Sequence, residues 1–358
     1  MKKFLAFILA MTTAAAVSVT AFAEPGDADD NNSAPVISLG ADGDTDIASG
    51  KALLTPGEEY NFPVLLTKDG AAESISEDDL DDYRVKVTAE TGKSAMDTAK
   101  FQKVDGEYVL TLKVKAGWPT EQTKVEYKVS LQDKSSYKEA SAASAKFLAG
   151  YAVLADSAFA DVADGEYVEV DPSAPVITEK QFEKMDELSG GKAVTFFHNS
   201  WKYSVRVTGL ESRNLLSNEN AVKEIVSKFE DQEFKFVSFP GGPTFDFTGE
   251  LEIDVADVSE DFDGDYYVYR YLNGKLSLLS SSYDEDEDTL TLKTNKLGRF
   301  VITNKEIKDG TVVVEMNTGS DTDGDKTNPD TGASDFTALA VALGAVSLAA
   351  VGFLARKK

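Results

Sequence analysis

From about Tyr60 the pattern becomes β, and separate runs up to Leu131 alternate apolar and polar residues with a period of two. Tyr83, Val85 and Val87 are separated by Arg84 and Lys86, and Val125, Tyr127, Val129 and Leu131 by Glu126, Lys128 and Ser130. Successive side chains of a strand point to opposite faces, so this pattern predicts an antiparallel sheet with one buried and one wet face. Phe101–Val104 and the series Tyr108, Leu110, Leu112, Val114 flank Asp105-Gly106. Both central positions of a tight hairpin turn want positive φ, which Asp-Gly accepts, so a hairpin is predicted here. Short strands at this spacing predict a β-sandwich-like, immunoglobulin-like module over residues 34–155.

A second module is predicted over 176–307, with mixed periodicity. Glu179–Leu188 reads as a short helix, and Asn218 as the cap of another that runs to Phe229 with Val222, Ile225 and Val226 at helical spacing. Strands follow: Phe245 to Val255 around Gly249, then Tyr267, Tyr269 and Tyr271, an Asn273-Gly274 turn, Leu276 and Leu278. Leu290 and Leu292 lead through Gly298 to Phe300, Val301 and Ile302. Residues 24–33 are an acidic linker. Residues 156–175, with their Asp, Ala, Gly, Glu and Pro, read as a second linker, and 308–327 as a flexible acidic spacer. Ala174-Pro175-Val176-Ile177 echoes Ala34-Pro35-Val36-Ile37, which hints at a loose duplication.

Composition narrows the chemistry. Of 358 residues none is Cys and one is His, which excludes disulfides, thiolate metal sites and cysteine nucleophiles. The formal charge of -26 opposes binding to a phosphate backbone, so no nucleic-acid partner is expected. Hydrophobic residues make up 42%, enough to bury cores.

The two ends carry the clearest information. Lys2 and Lys3 precede an apolar run from Phe4 to Ala10, and Ala21-Phe22-Ala23 before Glu24 fits the small-x-small cleavage pattern, so residues 1–23 read as a secretory signal peptide handed to the secretion machinery. At the other end, Asn328-Pro329-Asp330-Thr331-Gly332 precedes an uncharged apolar span within 333–355, and Arg356-Lys357-Lys358 forms a basic tail. The 20 residues Phe336–Ala355 at about 1.5 Å each match a hydrocarbon core of about 30 Å, so a transmembrane helix is predicted, with its cations on the cytoplasmic side.

Signal peptide, Pro-x-Thr-Gly pentapeptide, apolar span and basic tail, in this order, resemble the sorting signal of sortase-anchored cell-wall surface proteins of Gram-positive bacteria. The resemblance covers both ends and not the middle, although the Tyr-rich hairpin with its Gly298-Arg299-Phe300-Val301-Ile302 ending is loosely similar to modules that precede the anchor in such proteins. It implies that a sortase transpeptidase attacks the Thr331 carbonyl, cuts Thr331–Gly332 and joins Thr331 to the peptidoglycan cross-bridge. The commonest motif begins with Leu where this chain has Asn328, which leaves the sortase class open. A protein trimmed to residues 24–331 loses five cations and one anion, for a charge of about -30, which favours solubility.

The middle singles out little chemistry. Asp321-Thr322-Asp323-Gly324-Asp325 lacks the sixth-position Gly and twelfth-position Glu of a calcium loop, and Asp42, Asp44 and Asp46 are no better, so weak Ca2+ binding is the whole cofactor expectation. His198 has no nucleophile elbow to serve. Trp118 and Trp201 are the candidates for stacking on sugar rings. The expected protein is thus mainly β: two sandwich-like modules, the second α+β with one or two short helices, and a C-terminal transmembrane helix. Its expected role is non-enzymatic display or adhesion on the outer face of the wall, towards an unknown protein or glycan ligand. A surface carbohydrate-binding protein and an uncleaved single-pass membrane protein stay open as alternatives.

Overall fold

The computed structural model describes residues 35–314, apart from Asp69, residues 259–261, Asp263 and Gly264. The described chain is mainly β, arranged in several sheets. Both predicted termini, including the span over 333–355, lie outside the described residues. Among the described residues no helix is long and apolar enough to cross a membrane.

The first module contains β1 (Val36–Leu39), β2 (Leu53–Leu54), β3 (Glu59–Lys68), β4 (Ala71–Ser74), a one-turn helix α1 (Asp79–Asp82), β5 (Tyr83–Thr91), β6 (Met96–Val104), β7 (Glu107–Val114), β8 (Thr123–Asp133) and β9 (Glu139–Ala149). One sheet has the order β1-β3-β7-β6, with β4 added to β3, and the other the order β2-β9-β8-β5. Pairing is antiparallel except between β2 and β9. The alternation seen in the sequence sets the inner faces. Phe62, Val64, Leu110 and Leu112 from one sheet meet Val125, Val129, Leu131 and Phe147 from the other in a single core. The predicted hairpin is present: Val104 pairs with Glu107, and Asp105 and Gly106 take φ of 50° and 94°.

The second module contains β10 (Val168–Glu169), β11 (Val176–Ile177), α2 (Glu179–Ser189), β12 (Ala193–His198), β13 (Trp201–Arg206), β14 (Arg213–Asn214), α3 (Lys223–Lys228), β15 (Phe234–Ser238), β16 (Thr244–Asp254), β17 (Tyr267–Leu272), β18 (Lys275–Leu279), β19 (Ser282–Asp284), β20 (Thr289–Lys296) and β21 (Arg299–Thr303). A six-stranded sheet, β10-β12-β13-β16-β20-β19, packs on a four-stranded one, β15-β21-β17-β18. Trp201, Tyr203, Leu251, Ile253 and Leu292 of the first share a core with Val237, Val268, Phe300 and Ile302 of the second. The four-stranded sheet is also covered on its other face, where Phe236, Tyr269, Leu276 and Val301 pack against Val222, Ile225 of α3 and Ile307.

Helix α2 lies where the periodicity predicts it. Thr178 and Gln181 form a capping box at its start, and Gly190 at φ 63° ends it. The second helix differs from expectation. Asn218 does not cap it; its backbone pairs with Ser238 as an extended bridge, and α3 begins only at Lys223. A strand partner satisfies both polar groups of Asn218 and takes it out of the helix.

The stretch 156–175, read as a linker, and the described part of the spacer, residues 308–314, belong to the folded body. Within 156–175, Phe159, Val162, Val168 and Val170 are buried in the second core, and β10 pairs in parallel with β12. Within 308–314, Val313 donates its N–H to the Gly274 carbonyl at 2.7 Å and Val312 bridges to Lys275, so this segment follows the β17–β18 hairpin, while 315–327 lie outside the described residues. The echo of Pro35-Val36-Ile37 in Pro175-Val176-Ile177 does not extend to topology. β1 joins β3 in a five-stranded sheet, whereas β11 forms a separate pair with β14.

Candidate functional site

The sorting motif, Asn328, Pro329, Asp330, Thr331 and Gly332, and the signal-cleavage residues Ala21, Ala23 and Glu24 lie outside the described residues. The two tryptophans do not, and they have different surroundings. Trp201 starts β13 on its inner face and is only 2% exposed. Its ring meets Phe239 edge-on at 4.9 Å, and its indole N–H donates to Ser217 Oγ at 3.0 Å. A ring enclosed on both faces cannot stack on a sugar, so the glycan role expected for Trp201 is withdrawn. The alternating tyrosines are core as well: Tyr269 is fully buried and Tyr271 nearly so.

Trp118 is half-buried where the modules meet. A Cβ placed on Gly241 would come within 3.2 Å of the Trp118 Cβ, so the glycine admits the close approach of the indole. Beside it, Asn214 Nδ2 donates to the Pro119 carbonyl at 3.3 Å. Tyr151 braces the same loop: its hydroxyl donates to the Gly117 carbonyl and its own carbonyl accepts from Gln122 Nε2. Burial, helped by the charge of Glu58, pushes the Tyr151 phenol up to about 12. Val153 then bridges in parallel to Val176, so the chain passes from one module to the next through hydrogen-bonded backbone.

His198 sits at the tip of the β12–β13 hairpin, paired with Trp201 across Asn199-Ser200. Its Nε2 lies 3.0 Å from Asn199 Nδ2, while the neighbouring Ser200 hydroxyl donates to Glu219 Oε1. The serine and histidine therefore do not form a nucleophile–base pair. Asp42 accepts the Asn61 backbone N–H at 2.8 Å and so ties its loop to β3, and Asp46 accepts that of Ala48 at 2.8 Å and fastens a turn. Among the described residues no group of three or more His, Cys, Asp or Glu could hold a metal ion.

A surface hollow of about 410 Å³ is lined by Ser157, Ala158, Asp161, Val162, Glu166 and Tyr167 and is open to solvent. It gathers acidic and small side chains without a base beside a nucleophile. No family model and no curated protein matches this chain.

Proposed function

We propose that this protein is a surface protein of a Gram-positive bacterium, exported through its signal peptide and attached covalently to the cell wall by a sortase. The single observation that carries the reading is the order of parts in the sequence: residues 1–23, a folded body, Asn328-Pro329-Asp330-Thr331-Gly332, an apolar span and Arg356-Lys357-Lys358. Thr331 supplies the carbonyl that the sortase attacks. An amine of the peptidoglycan cross-bridge then displaces the enzyme and forms the final amide. The span over 333–355, as a transmembrane helix with its basic tail inside, holds the precursor at the membrane until that step.

The folded body displays two modules outward from the wall. In the first, the strand order β1-β3-β7-β6 over β9-β8-β5 corresponds to the constant-type immunoglobulin sandwich, and the β2–β9 pairing extends the second sheet. The second is a sandwich-like α+β module. The protein works as a non-enzymatic display or adhesion element, with a glycan or protein as its outward ligand. The test is a blot of wall fractions from the native host after muramidase digestion, wild type against Thr331→Ala. The expected result is a ladder of wall-linked wild-type species and a membrane-retained variant. If both remain membrane-bound at full length, the protein is a single-pass membrane protein and the sorting reading is wrong.

A further inference from the structure

The total charge of -26 conceals an uneven distribution. Strands β5, β8 and β9 with the β8–β9 turn, residues 83–91 and 123–149, carry seven Lys and Arg against four Asp and Glu, a local surplus of three cations. The sandwich sorts them further. Val125, Tyr127, Val129 and Leu131 of β8 point into the core, so Lys124, Glu126 and Lys128 lie on the outer face. Cross-strand register adds Arg84 and Lys86 from β5, opposite Gln132 and Ser130, and Lys146 from β9, opposite Glu126.

Two ion pairs neutralise part of this face: Lys128–Glu139 at 2.9 Å and Lys146–Glu126 at 3.1 Å. Arg84, Lys86 and Lys124 make no ion pair among the described residues, and the two lysines are exposed. One end of the face carries a presented aromatic ring. Tyr137 is 61% exposed and stands at φ 59° in the turn between β8 and β9, flanked by Lys134 and Lys138. The Arg84 guanidinium lies 4.1 Å from the centre of its ring and donates two hydrogen bonds to Gln132 Oε1. The turn itself is fixed by Asp133, whose carboxylate accepts from Ser135 and Ser136. These bonds hold its pKa down at about 2. Tyr137 is therefore held in place by its turn and available from outside.

We propose that this face binds a single-chain anionic polysaccharide bearing carboxylate groups. The cation surplus supplies the charge complement. Exposed hydroxyls such as Ser144 suit sugar hydroxyls, and Tyr137 suits the apolar face of a pyranose ring. Residues 124 to 132 run about 27 Å at the rise of a strand, a length over which a linear polymer meets cations repeatedly. The rest of the molecule selects for a thin ligand. Charges interact mainly within a Debye length, about 8 Å at physiological ionic strength, so a broad polyanion such as duplex DNA or an anionic bilayer, which also lies against the acidic flanks, meets repulsion that a single chain lying on the sheet avoids. The inference does not depend on wall anchoring, and the blot above and the assay below fail independently.

The test uses the purified full chain and polygalacturonate as probe, titrated in 50 mM NaCl, with dextran, duplex DNA and phosphatidylserine vesicles in parallel. Polygalacturonate is expected to bind, dextran not, and DNA and vesicles at least about tenfold more weakly, which is about 1.4 kcal/mol. Lys86→Glu with Lys124→Glu, both at exposed positions, should weaken binding at least about tenfold with an unchanged melting temperature. Tyr137→Ala should weaken it about threefold, in line with loss of one aromatic contact. The absence of polygalacturonate binding by the wild type, equal binding of DNA or vesicles, or an unaffected double variant would each overturn the proposal.

Discussion

Replacing Tyr269 with Phe removes one oxygen atom and leaves two backbone groups without partners. The Tyr269 hydroxyl accepts the Ile307 N–H at 2.6 Å and donates to the Ile307 carbonyl at 2.7 Å. Tyr269 is 0% exposed and Ile307 3%, so water does not replace the lost atom without opening the core. A buried polar group left unsatisfied costs about 1–3 kcal/mol, and two such groups, less the desolvation of the hydroxyl that Phe no longer buries, set an expectation of about 2–4 kcal/mol for Tyr269→Phe. With a urea slope of about 2 kcal/mol/M the unfolding midpoint of the second module should fall by about 1–2 M. The change should also be local. Ile307 opens the segment that follows the β17–β18 hairpin, where Gly310 donates to the Leu276 carbonyl and Leu276 to that of Thr311. In a wall-anchored protein this segment takes the pull from the C-terminus. Urea unfolding read by tryptophan fluorescence, with amide exchange at Ile307 and 308–314, is the assay. A midpoint within about 0.2 M of wild type, together with unchanged protection at Ile307, would refute the claim that this hydroxyl fastens the exit segment.

Three further expectations follow from packing and charge. Gly249→Ala should destabilise by about 1–3 kcal/mol, because the new Cβ would lie 2.7 Å from the Ser204 carbonyl and the Tyr203 ring, whereas Gly298→Ala meets nothing within 4 Å and serves as a near-neutral control; equal melting temperatures for the two would contradict that geometry. Trp201→Ala should cost about 3–5 kcal/mol, as for other buried aromatics, and a variant that melts like wild type would return Trp201 to the list of surface residues. Alkaline pH should unfold the protein. Burial raises the phenols of Tyr151, Tyr203, Tyr269 and Tyr271, so above about pH 10 the unfolded chain loses protons that the folded chain keeps, and stability should fall progressively towards pH 12. A urea midpoint that stays constant from pH 9 to 11.5 would show that these phenols ionise equally in both states.

Local chemistry was legible in the residues themselves. Period-two alternation located β5, β7 and β8, Asp105-Gly106 marked the β6–β7 hairpin and Asn273-Gly274 the β17–β18 hairpin, and the start of α2 lies at Glu179 as the pattern predicts. These features depend on neighbours a few positions apart, and such interactions survive in a bare sequence. The terminal motifs are legible for a related reason: the proposed export and sorting machinery meets them as extended chain, so residue order is the whole message. What tertiary structure alone decided is which side chains share a face and which segments are covered. Trp118 and Trp201 look equivalent on paper, but one lies at the junction of the modules and the other is sealed behind Phe239. Phe159, Val162, Val168 and Val170 have no regular spacing, and only the neighbouring core makes a folded segment of them. Tyr267, Tyr269 and Tyr271 look like a strand with one face to bury, yet their sheet is covered on both sides. The net charge behaves in the same way: a single total of -26 in the sequence becomes, through sheet pairing, a face with surplus cations on an acidic body. Burial and surface charge are sums over partners distant in the chain, and only folding chooses those partners.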